Sequence, residues 1–181
     1  MTTFPIKLNV FSSNDQRDPQ AVTLADGRMV VAWESFGQDG DNFAINFRIL
    51  NPDGTIFSSE IRANTFTTST QDDVSIAALD NGTFVITWSS LSQDGDSDGI
   101  YGQIFDRDGS PLGSEFSVNT YTTNSQDWSS VTGLTDGGFV VTWHSSAQDG
   151  SSWGTYQQRY DAFGNRVGTE IQVNTTTNGA Q

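Results

Sequence analysis

Three aspartates spaced two apart, Asp94, Asp96 and Asp98, followed at once by Gly99, form the stretch of this chain that most resembles a metal site. A calcium loop of the EF-hand kind takes oxygen ligands at positions 1, 3 and 5, a glycine at 6 for the turn, and a bidentate glutamate at 12. Counted from Asp94 the first four fall in place, but position 12 is Phe105, with Asp106 one step late. The start of the motif recurs as Gln38-Asp39-Gly40 and Gln148-Asp149-Gly150, where the later carboxylates thin out to Asp41 in one copy and give way to Ser151 and Ser152 in the other. What the three stretches share is the triplet alone, and it reads as a turn: aspartate accepts a hydrogen bond from the backbone two residues on, and glycine supplies positive φ. A polar turn is therefore expected. No other cofactor is in view than a calcium ion at Asp94, Asp96 and Asp98.

Two tryptophans stand at loop positions and could stack on a sugar ring, Trp128 and Trp153, and they are the candidate ligand-binding residues. Trp33, Trp88 and Trp143 instead close apolar runs such as Phe139-Val140-Val141-Thr142-Trp143 and are expected in the core. The sole histidine, His144, precedes Ser145, but no nucleophile-elbow sequence surrounds that serine. The hairpin Asp-box of sialidase-type propellers fails at its glycine and tryptophan positions when laid on Ser92-Gln93-Asp94. No catalytic residue is assigned from the sequence.

The elements that must position these residues come from a repeat. Trp33, Trp88 and Trp143 are spaced 55 apart, and the same offset joins Gln16, Gln71 and Gln126, the three Gln-Asp-Gly triplets, Glu60, Glu115 and Glu170, and the pairs Asn64-Thr65, Asn119-Thr120 and Asn174-Thr175. A fixed period of this length is the mark of a repeat architecture. Each copy holds four strand-like pieces; in the second they fall at 74–79, 83–89, 100–106 and 114–119, with an Asp-Asn-Gly hairpin signal between the first two. Helical spacing of apolar residues is absent, and 18 Gly with 12 Phe and 5 Trp suit strands and turns. The fold expected is all-β and β-propeller-like: three four-stranded antiparallel blades plus one extra N-terminal strand. The divisions are 1–15 for an N-terminal strand equivalent to the fourth of a blade, then blades at 16–70, 71–125 and 126–181. Three blades do not readily close a ring, so self-association into a dimer or head-to-tail array, or further repeats of a longer chain, is expected to complete it.

Eight basic residues against 22 acidic give a net charge of -14, which repels the phosphates of nucleic acid and of anionic lipid. Cysteine is absent, which excludes disulfides and thiol catalysis. No apolar run is long enough to cross a bilayer, so membrane insertion is not expected.

The succession Asp136-Gly137-Gly138-Phe139-Val140-Val141-Thr142-Trp143, then Gln-Asp-Gly, then residues 99–109, then 113–123, resembles a tandem repeat of very long bacterial surface or secreted proteins that often also carry hemolysin-type calcium-binding repeats. The resemblance covers essentially the whole chain. It implies an extracellular or cell-surface setting and an adhesive role. On that basis the sequence is read as a non-catalytic repeat module, a scaffold for adhesion or self-assembly. A carbohydrate-binding propeller lectin, with a glycan as partner, is the first alternative, and a glycan-active hydrolase using carboxylates on the propeller face the second. An enzyme built from repeats must break their symmetry somewhere, to bring unlike groups together.

Overall fold

The structure, a computed structural model, describes residues 5–180. It is all-β. The first sheet comprises β1 (Gln16–Thr23), β2 (Met29–Phe36), β3 (Phe43–Leu50) and β4 (Ile61–Arg62). The second comprises β5 (Gln71–Ala78), β6 (Phe84–Leu91), β7 (Asp98–Phe105) and β8 (Pro111–Ser117), and the third β9 (Gln126–Gly133), β10 (Phe139–Ser146), β11 (Trp153–Tyr160) and β12 (Arg166–Gln172). Each sheet is antiparallel with its strands in chain order. Successive sheets stack face to face in a propeller-like succession: β5 packs on β1, β2 and β3, and β9 on β5, β6 and β7.

Local chemistry sets the hairpins. Between the first two strands of each sheet a tight turn places Gly27, Gly82 and Gly137 at φ of 84°, a conformation with little cost only for glycine. The core lies between the sheets. Phe47 of the first sheet meets Phe84 and Phe105 of the second at ring distances of 5.5 and 4.8 Å, and Phe139 stacks on Tyr160 at 4.8 Å within the third. Trp88 and Trp143 are fully buried in these layers and Trp33 is 5% exposed, as the apolar runs predict. Burying each such ring contributes roughly 2 kcal/mol.

Polar residues that recur every 55 positions tie the copies together. Asn64 accepts from Ile45 N–H at 2.9 Å and donates to Gln71 Oε1 at 3.0 Å; Asn119 does the same with Ile100 and Gln126 at 2.7 and 3.0 Å. Glu115 accepts from the Thr65 N–H at 2.6 Å and from Gln93 at 2.5 Å, and Glu170 from the Thr120 N–H at 2.7 Å and from Gln148 at 2.6 Å. Each glutamate thus clamps the Asn-Thr pair of the preceding copy, not of its own.

Two expectations are corrected. The extra N-terminal strand is not formed: residues 5–15 run irregularly and pair with no strand among the described residues. The segment is held instead by Arg48, which donates to Leu8 O, and by Glu60, which accepts from Val10 N–H at 2.6 Å. The described residues therefore hold twelve strands and not thirteen. The first strand of the second sheet also begins at Gln71, three residues before the expected 74, so the polar pair Asp72-Asp73 belongs to a strand rather than to a connection. No helix among the described residues is long and apolar enough to cross a membrane.

Candidate functional site

The first strand of every sheet carries a bulge, between Arg17 and Gln20, Asp72 and Ser75, and in β9 opposite Thr142 and His144. At the bulge the backbone of Asp18, Asp73 and Trp128 turns to φ of 51°, 53° and 52°, the left-handed region that non-glycine residues seldom enter. A bulge re-aims side chains. β5 lies between β1 and β9 and contacts both, and the bulge residues Asp18, Asp73 and Trp128 line one cleft at an end of the stacked sheets.

Here the repeat loses its symmetry. Arg17, Asp72 and Asp127 occupy one position of the 55-residue unit; Asp18, Asp73 and Trp128 the next; Glu34, Ser89 and His144 a third; Phe43, Asp98 and Trp153 a fourth. The framework Asn, Gln and Glu residues recur unchanged around them. Comparing the three copies for positions that vary, rather than for those that recur, is the signal in the sequence that finds this site.

The geometry is that of crowded carboxylates with one cation. Arg17 lies 2.7 Å from Glu34, 3.3 Å from Asp18 and 3.6 Å from Asp72, with its guanidinium 3.7 Å from the centre of the Phe43 ring. Ser89 Oγ donates to Asp73 at 3.0 Å, and Asp18, Glu34, Asp73 and Trp128 border one cleft, so groups from all three sheets meet here. Burial pushes the Asp72 carboxyl up to about 7, helped by the charges of Asp73 and Glu34. Burial, then the Asp73 and Asp98 charges, takes Asp127 up to about 6. Burial likewise raises Asp73, Asp98 and Glu34, opposed at Asp73 by the Ser89 hydrogen bond and at Glu34 by Arg17. Protonated and ionised carboxyl groups therefore coexist near neutral pH.

Trp128 and Trp153, 25 residues apart in the chain, line one cleft of about 320 Å3 together with Asp127 and His144. Trp128 is 65% exposed, its ring 5.7 Å from that of His144. Its other side borders a second cleft of about 260 Å3 with Asp18, Glu34 and Asp73, so the aromatic and acidic groups share a surface.

The aspartates of the calcium-like stretch part company. Asp94 accepts from Asp96 N–H at 3.3 Å within the turn, Asp96 from Asn124 N–H at 2.9 Å in the following connection, and Asp98 from Ser125 Oγ at 3.3 Å beside the carboxylate cluster. No three acidic or histidine side chains gather as a cation site among the described residues. Only Asp98 of the three joins the site. Ser145 is buried beneath the sheet and is not brought to the cleft surface.

Several solved structures share this fold. An endo-arabinase of Bacteroides thetaiotaomicron superposes with a TM-score of 0.58 at 16% identity, over 95% of this chain and 66% of that one. An endo-1,4-beta-xylanase of the same organism gives 0.53 at 16% over 92% and 63%, and an arabinanase of Bacillus subtilis 0.51 at 17% over 88% and 60%. The chain thus spans about two thirds or less of the length of these neighbours. No family model matches the chain, and no curated protein matches it. At such identity the likeness carries the fold alone. It nonetheless overturns the sequence reading of a non-catalytic, non-enzymatic scaffold, since the proteins that share the fold are named as an endo-arabinase, an endo-1,4-beta-xylanase and an arabinanase.

Proposed function

We propose that the chain is a glycan-active module that hydrolyses glycosidic bonds with the carboxylates at the bulged ends of β1, β5 and β9. The observation that carries this reading is Asp72, a solvent-reachable carboxyl that burial pushes up to about 7, set among the carboxylates of Asp73, Glu34 and Asp127, the last of which rises only to about 6. Glycoside hydrolysis needs that pairing: one carboxylic acid to protonate the leaving oxygen, and one carboxylate to activate water or attack the sugar carbon. In this assignment Asp72 is the acid. Asp73, to which Ser89 Oγ donates, is the base or nucleophile. Arg17 pairs with Glu34 and Asp18 and fixes their orientation, and Trp128 with Trp153 supplies the apolar face on which a sugar ring stacks. An extracellular setting, where polymeric glycans are met, fits the acidic, cysteine-free composition and belongs to the proposal.

The test is release of reducing ends from linear arabinan and from xylan by the wild type, by Asp72→Asn and by Asp73→Asn, with circular dichroism to show that each folds. Wild-type rates are expected to fall as pH rises through about 7, where Asp72 loses its proton. Each variant is expected to lose at least a hundredfold, the usual scale of acid-base catalysis. No release by the folded wild type, or an unchanged rate in Asp72→Asn, sinks the assignment.

A further inference from the structure

The third sheet is built differently from the other two on the face that points away from its neighbour. In the second sheet nearly every residue of β6 and β7 is buried, because a sheet covers each face. In the third, β10 and β11 alternate between buried and half-exposed, the pattern of a sheet with one wet face. The residues on that face have changed to match. Where the first sheet places Ala32, Ile45, Phe47 and Ile49 in the inter-sheet core, the third has Thr142, Thr155, Gln157 and Arg159. The second sheet has Thr87, Ile100, Gly102 and Ile104 at these positions and is likewise covered. A polar outer face of this kind suits water or a polar ligand. An apolar sheet seated here would meet the Gln157 amide and the ion pair of Arg159 with Asp136.

The upper end of this same face is the cleft of Trp128, His144 and Trp153. Aromatic rings above a row of hydroxyl, amide and guanidinium donors suit a chain of sugars: the rings take the apolar ring faces, and the row takes the hydroxyl groups. The occupant's charge follows from the molecule. With a net charge of -14 and carboxylates at the head of the groove, a uronic-acid polymer is repelled. Ala180 also lines the cleft, and below it β10 and β11 keep this face half-exposed over a length that takes several sugar rings.

We infer that the outer face of the third sheet, from Trp128 and Trp153 down to Gln157 and Arg159, binds an internal stretch of a neutral polysaccharide. This rests on the glycan-directed reading above and adds to it the charge of the substrate and the direction in which it lies. Affinity electrophoresis through gels containing arabinan, xylan or hydroxyethyl cellulose, with polygalacturonate as the acidic counterpart, tests it. At least one neutral polymer is expected to retard the wild type, and polygalacturonate is not. Trp153→Ala and Gln157→Ala are each expected to weaken retardation about tenfold, the scale of one aromatic or hydrogen-bonded contact. Asp72→Asn should be retarded as strongly as the wild type, which separates the two proposals: normal binding without hydrolysis sinks the hydrolase and leaves the groove standing. Hydrolysis with retardation indifferent to both face variants sinks the groove and leaves the hydrolase standing. A wild-type dimer by light scattering that Thr155→Arg dissolves would overturn the groove too, since the face would then be a protein contact.

Discussion

Asp72 owes its late ionisation first to burial and then to the charges of Asp73 and Glu34, while Arg17 commits its shorter contacts to Glu34 and Asp18. The consequence reaches stability. A carboxyl whose folded pKa is raised from 3.8 to about 7 binds its proton more tightly in the folded chain. Its contribution is therefore intact below about pH 4 and is lost progressively as pH climbs to about 7. Asp72→Asn removes this loss. The variant is expected to be more stable than the wild type at pH 8 by on the order of 2 kcal/mol, a figure discounted for the group's remaining contact with water, and equal to it at pH 4. Urea midpoints at the two pH values check this, and a wild-type advantage at pH 8 would refute it. The same substitution is expected to abolish hydrolysis, so one residue trades stability for chemistry.

At the scale of the elements, the asparagines that follow the fourth strand provide an internal comparison. Asn119 is 2% exposed and holds Ile100 N–H, Gln126 and Tyr121 O; its removal leaves buried partners unpaired. Asn119→Ala is expected to cost about 3 kcal/mol in urea denaturation, and Asn174→Ala, at the wetter third copy, about 1. Equal costs would show that burial does not grade them. The strands themselves were legible because each copy repeats its turn residues and apolar runs in register. What the repeat concealed was the start of the first strand. Gln71, Asp72 and Asp73 are polar and read as connection, yet Gln71 is fully buried in a ladder and the bulge at Asp73 keeps the strand going past two carboxylates. Trp128, Trp153 and His144 each stand out in sequence as unlike their counterparts. That they meet follows only once the bulged strands are known to lie side by side. The aspartates at 94, 96 and 98 misled in the opposite sense, since alternation along a strand and its turn sends neighbours to different partners.

For the molecule as a whole, the two ends of the stack differ in kind. The outward face of the first sheet sets Val31 and Trp33 beside the buried Asn46 and Arg48 and is screened by residues 5–15, with Leu8 beside Val31 and Trp33 around a cavity of about 160 Å3. Deleting residues 1–13 is expected to shift tryptophan emission to the red as Trp33 meets water, and to raise the solution mass through contacts between uncovered faces; unchanged emission and mass would show the segment to be dispensable. The glutamate clamps add a direction to the stack. Glu115 closes on Thr65, and Glu170 on Thr120, each across 50 residues of chain. On the ribosome, a unit therefore emerges well before the side chain that fastens it, and its completion waits on translation of the next. A pause in synthesis just ahead of the codon for Glu115 would leave the first unit shaped but unlocked, in reach of a chaperone or a protease.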